Sequence, residues 1–171
     1  MRCLLPAALV NHVWRGRTGL AAALCIGFCA GTAHGQQARI TKLTDVAFGT
    51  ISNLGIDASR SQNVCAYSSA SLKGYSVRAT GSGTSGAFSL VNGARQVAYE
   101  VQWSGTSGQT SGTALSSGVT LGGFVSTASS SNCSTAPLTT ASLIVLLRAA
   151  TLSTATAGTY SGTLTLIIAP E

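Results

Sequence analysis

Histidine is missing from almost the whole chain: both copies, His12 and His34, fall within the first 35 residues. Residues 36–171 therefore lack the commonest general base at neutral pH and the commonest metal ligand. No Ser/His/Asp or Cys/His constellation can be assembled from them. Charge is scarce too, at 8% of residues. The four acids are Asp45, Asp57, Glu100 and Glu171. A glycoside hydrolase needs two carboxylates facing each other across a cleft. Asp45 and Asp57 are the pair that could meet, but their flanks carry no aromatic platform for a sugar. The glycine-rich pieces "GSGTSG" and "SGTSGQTSGT" lack the lysine of a phosphate-binding loop and read as turns. No catalytic residue, cofactor or metal is expected.

A basic patch is also lacking. The formal net charge is +6, but beyond residue 35 the basic residues Arg39, Lys42, Arg60, Lys73, Arg78, Arg95 and Arg148 are scattered singly. A nucleic-acid surface needs a stripe that neutralises successive phosphates, and none is present.

The one long apolar run, "GLAAALCIGFCAG", lies near the start, behind Arg2, Arg15 and Arg17 and ahead of "TAHG". It is too short to span a bilayer comfortably. Residues 1–35 have the layout of a cleaved export signal, with Ala33 and Gly35 at the −3 and −1 positions of a cut before Gln36. No membrane segment is expected after cleavage. Cys3, Cys25 and Cys29 would leave with the signal, so Cys65 and Cys133 remain. In an exported domain such a pair forms one disulfide, the alternative being two free buried thiols.

What is present is strand. Residues 36–171 read as short alternating segments separated by Gly/Ser/Thr loops: 45–51, 61–67, 74–80, 86–92, 96–103, 119–125, 141–149 and a terminal strand from Gly158 to Glu171. Val97, Tyr99, Val101 and Trp103 fall on one face at period two, as in a half-buried strand. In the last segment Tyr160, Gly162, Leu164, Leu166 and Ile168 share a face. It has no Lys or Arg to blunt an open edge. Tyr160 could be a tyrosine corner in a complete core; alternatively, the edge awaits a strand from another protein. The spacing predicts one all-β sandwich over residues 36–171.

"RITKLTDVAFGTI", "QNVCAYSS", "GYSVRATGSG", "GAFSLVNG", "VAYEVQW" and "LSTATAGTYSGTLTLIIAPE", in that order, resemble the spore coat protein U domain family. That family includes subunits of archaic chaperone–usher pili. The resemblance implies an incomplete, pilin-type immunoglobulin-like sandwich completed by donor-strand complementation. Its implied partners are a periplasmic chaperone, an outer-membrane usher and other pilus subunits. Export would run through the periplasm to a fimbrium on the cell surface. In related pilins a glycine fourteen positions from the C-terminus marks the strand the chaperone grips, and Gly158 holds that place. The implied partner-strand contacts are Gly158, Tyr160, Leu164, Leu166 and Ile168. Polymerising pilins also carry a donor segment before the first strand. Here "QQARITKLT" offers only Ile40 and Leu43, which fits a minor or terminal subunit that accepts a strand without donating one. The remaining readings are a secreted carbohydrate-binding module using Trp103 or the tyrosines, and a spore or cell coat protein.

Overall fold

The two longest strands, Ala58–Ser68 and Gly74–Gly81, each lie between neighbours in one of two antiparallel sheets. The computed structural model describes residues 35–171; the export signal expected over 1–35 lies outside them apart from Gly35. The strands are β1 (Ala38–Thr41), β2 (Ala58–Ser68), β3 (Gly74–Gly81), β4 (Ser89–Asn92), β5 (Arg95–Ala98), β6 (Glu100–Ser104), β7 (Thr113–Leu115), β8 (Thr120–Val125), β9 (Ala141–Leu147) and β10 (Leu164–Pro170). A single helical turn, α1 (Ala149–Leu152), follows β9. One sheet has the order β1-β2-β9-β6-β7, a second β10-β3-β8, and β4 and β5 form a separate hairpin.

The core lies between the two larger sheets. Val64 and Ala66 of β2, Val101 and Trp103 of β6, and Leu143, Val145 and Leu147 of β9 face Tyr75, Val77 and Ala79 of β3. Trp103 is fully buried, and its indole Nε1–H donates to the Tyr75 hydroxyl at 3.2 Å. The rings meet edge to face with centroids 6.5 Å apart, and Tyr75 in turn stacks on Phe124 of β8 at 5.5 Å. An indole taken out of water needs a partner for its one donor, and this bond supplies it while joining the two sheets. Burial pushes the Tyr75 hydroxyl pKa upward.

A second, smaller cluster lies on the opposite face of β2. Cys65 and Cys133 are joined in a disulfide, both fully buried beside Ala128, with Tyr67 packed against them. The bond ties the 126–140 connection to the sheet. The Ser126 and Thr140 hydroxyls reinforce it by donating to the Ala66 carbonyl at 2.6 and 3.0 Å.

Three expectations need correction. Residues 45–51 belong to no strand, although Val46, Phe48 and Ile51 still pack against the core. The 96–103 segment is two strands: it leaves the β4 hairpin at Tyr99, whose N–H donates to the Phe88 carbonyl, and joins β9 from Glu100 on. Period-two alternation cannot register such a change of partner, since side chains keep alternating through it. The terminal strand begins at Leu164, because Ser161 exchanges both backbone hydrogen bonds with Val91 of β4 and not with β3. At its far end the Glu171 carboxylate accepts from the Gly123 N–H at 2.8 Å. A Cβ at Gly122 would meet that carboxylate and turn the Glu171 side chain aside.

The disulfide closes a 68-residue separation. Its reduction, or the double replacement Cys65→Ser and Cys133→Ser, is expected to remove about 4 kcal/mol by the loop-entropy relation. Urea denaturation with and without reductant measures this, and an unmoved midpoint would contradict it.

Candidate functional site

The burial pattern marks the two outer strands of the β10-β3-β8 sheet: Leu121 and Phe124 of β8 are half-buried, and so is the inward row of β10. Inward-facing residues of β3 and β9 are buried, but those of β10 are only half-buried: Leu164, Leu166 and Ile168 alternate with the exposed Thr165, Ile167 and Ala169. Their register partners on β3 are Gly81, Ala79 and Val77, the last two fully covered by the same core. The cover missing is lateral. β10 bonds to β3 along one edge and pairs with no other strand among the described residues, although β1 passes close to it.

Residues 42–57 turn Val46, Phe48 and Ile51 partly onto the same core as the β10 row, leaving Leu43, Leu54 and Ile56 exposed. No strand of the described residues pairs with this segment. The segment is held by side chains instead of a ladder. The Lys42 ammonium donates to the Cys133 and Leu138 carbonyls at 3.2 and 2.6 Å. Gln62 of β2 accepts from the Thr44 N–H at 2.9 Å and donates to the Thr44 carbonyl at 3.1 Å. Arg60 of β2 donates to the Ala47 and Phe48 carbonyls at 3.3 and 3.2 Å. Thr44 to Ala47 and Arg60 to Gln62 line a cleft of about 240 Å³ between the segment and β2.

At the end of the segment, Asp57 accepts from the Arg148 guanidinium and the Ala149 N–H, both at 2.8 Å. Arg148 also grips both oxygens of Glu100, at 2.9 and 2.6 Å. The Ala149 amide first, then Arg148, holds the Asp57 carboxyl below its ordinary range, and Arg148 does the same for Glu100. Asp57 is thus engaged structurally, while Asp45 lines the cleft beside Arg60.

In strand order, β1-β2-β9-β6 runs as strands A, B, E and D of an immunoglobulin-type sandwich, and β3 and β10 correspond to C and F. In that arrangement strand G lies outside F, the position left open beside β10. Tyr160 fits the correspondence: its hydroxyl donates to the Thr156 carbonyl at 3.0 Å, as a tyrosine corner just ahead of strand F does.

Of the five residues expected to meet a partner strand, the structure brings Leu164, Leu166 and Ile168 together along β10. Gly158 and Tyr160 lie ahead of it, with Tyr160 packed on the core and Gly158 against the Asn92 side chain. Trp103 and Tyr75 have no exposed surface and Tyr99 is buried, so these three residues offer no stacking platform for a sugar. The lateral hold by Arg60 and Gln62 escaped the sequence reading. Its signal was their spacing with Val64, which makes them polar residues on the core face of a strand.

No family model and no curated protein matches the chain. A solved structure does: a chain from a chaperone–tip adhesin complex of CFA/I fimbriae biogenesis, at 16% identity and a TM-score of 0.50. The match covers 80% of this chain but 41% of that one. The likeness is one of fold: a nearly all-β, antiparallel sandwich of the kind found in that fimbrial complex.

The carboxylates of Asp57 and Glu100 have folded pKa values below their unfolded ones, so their contribution is present above the ordinary carboxylate range and lost as pH falls through the folded values. The side chains are nearly half exposed, so the effect is small and weakened by salt. Arg148→Gln is expected to lower the thermal midpoint at neutral pH, with the two curves converging in acid. A gap that persists undiminished below the folded pKa values would show that the charges are not responsible.

Proposed function

We propose that this chain is a non-enzymatic structural or adhesive subunit of a surface fibre, assembled by accepting a strand between β10 and residues 42–57. The observation that carries this reading is the open edge of β10 above a half-buried apolar row, at the place where strand G of the sandwich belongs. An added strand would bond to the free backbone of β10 and lay alternate side chains over the row, which is the general mode of strand addition. The fimbrial likeness of the fold supports the same reading.

Magnitudes favour a required partner. Six apolar side chains flank the opening: Val46, Phe48, Ile51, Leu164, Leu166 and Ile168, each half-covered. Completing their burial at about 1 kcal/mol each is worth about 6 kcal/mol, comparable with the whole stability of a domain, about 5–15 kcal/mol. A subunit lacking that term is marginal and has an edge on which other chains can pair. A periplasmic chaperone that lends a strand, and an usher that exchanges it for a neighbouring subunit's, would meet both needs. Within this chain β1 is already committed: Ile40 packs on the core and residues 38–41 pair with β2. That favours an acceptor at a minor or terminal place in the fibre.

Diluted from denaturant under oxidising conditions, the chain is expected to aggregate or self-associate on its own and to yield monomer with an alternating apolar peptide of about a dozen residues. Leu166→Asp should abolish this rescue. Light scattering and size-exclusion chromatography read the outcome. A peptide-free chain that refolds reversibly to a stable monomer would overturn the proposal.

A further inference from the structure

The half-buried side chains of β10 and of residues 42–57 share one core, and a cation stands over the Phe48 part of it. Arg60 has the same parity on β2 as Val64 and Ala66, both fully buried in the core. Its own residue is exposed, because the core beneath this part of β2 is the part left open. The guanidinium reaches over to the 42–57 segment and lies 5.7 Å from the centre of the Phe48 ring, on the apolar floor.

The bonding of this guanidinium is incomplete. It donates through Nε to the Ala47 carbonyl, through Nη2 to the Phe48 carbonyl, and through Nη1 to the Ser59 carbonyl at 3.0 Å. These are three of the five N–H donors an arginine carries, and each acceptor is neutral. Both ion pairs among the described residues belong to Arg148. Asp45 lines the same cleft without bonding to Arg60, and Lys42 is turned to the Cys133 and Leu138 carbonyls. A strand laid in the opening would remove water from Arg60. A covered guanidinium with free donors and no anion is costly, whereas a carboxylate placed against it forms a strong, directional contact.

We infer that the strand accepted here comes from another polypeptide and interrupts its apolar row with one Asp or Glu, set to lie against Arg60. The apolar row supplies affinity; the carboxylate fixes register, because a slip by two residues would bring it onto Leu or Phe side chains. This rests on the strand-accepting reading above and names the chemistry of the occupant.

The test uses a set of alternating Val/Ser peptides in which each inward position in turn carries Ala, Asp or Lys. The readout is the peptide concentration that half-restores monomer when the whole chain is diluted from denaturant. At one position Asp is expected to act at about three- to tenfold lower concentration than Ala, with Lys weaker than both, the range for a partly covered ion pair. The preference should shrink with added salt. Within Arg60→Met the ratio of Asp to Ala peptide concentrations should fall to about one, a comparison that any general loss of rescue from releasing the 42–57 segment leaves unaffected. Arg60→Glu should turn the preference towards Lys. If neutral peptides rescue the wild-type chain and no position discriminates Asp from Ala, the carboxylate inference is wrong and strand acceptance stands. If no peptide rescues, both fall. Should either variant fail to fold, the wild-type peptide series decides by itself.

Discussion

The contact between Trp103 and Tyr75 is the point from which the rest of this sandwich can be understood. It places the largest buried side chain of one sheet against the largest of the other and satisfies the one indole donor within the core. Val77, Val101, Leu143 and Val64 beside it are fully covered, while Phe124, stacked on Tyr75, is half-buried. Burial falls away towards β8, at Leu121 and Phe124, and again through Leu166 and Ile168 of β10 and Val46 and Phe48. A close-packed interior that thins towards an edge has a missing neighbour there, because dispersion contacts are lost wherever no atom stands opposite.

The edge at β10 explains how residues 42–57 are held. A segment flanked by strands on both sides would be fixed by backbone ladders. Here the ladder side is vacant, and Lys42, Thr44 with Gln62, Arg60, and Asp57 with Arg148 fix the segment at successive points. Side-chain bonds of this kind set position without consuming the edge of β10. The arrangement keeps the two walls of the opening apart and leaves the backbone between them free for main-chain pairing. The same logic separates Tyr160 from β10: its tie to Thr156 is local and completes the turn before the strand, while the bonding edge remains open beyond Leu164.

Much of this was legible in the residues, and the failures have physical causes. Alternation located β2, β3, β8 and β10, because a strand with one covered face leaves a period-two trace, while β9 shows as a short apolar run buried on both faces. Cys65 and Cys133, the pair beyond residue 35, were expected to bond to each other and do so. Residues 45–51 misled because Val46 and Phe48 alternate as a strand's do while their backbone has no partner; apolar period reports which side faces the core, not whether a ladder exists. β1 and β7 were missed for the opposite reason: at four and three residues they are too short to show a period. The switch at Tyr99 was invisible because alternation continues across it. Arg60 and Gln62 were readable in principle, as polar residues in step with Val64 and Ala66, but only once β2 is known to begin at Ala58.

The distribution of polarity around the opening carries one more consequence. Edge strands are commonly protected by an inward-pointing charge that makes pairing with the wrong chain expensive. Arg60 has that character, but it stands on the wall facing β10, not on β10 itself, so it leaves the edge accessible while imposing a condition on what may lie against it. A fully apolar strand could still pair with the backbone of β10, at the cost of covering a cation that only carbonyls contact. A strand with a matching carboxylate avoids that cost. Selectivity in such an opening therefore comes less from the half-buried row, which any alternating apolar sequence satisfies, than from the single residue that breaks the row's character.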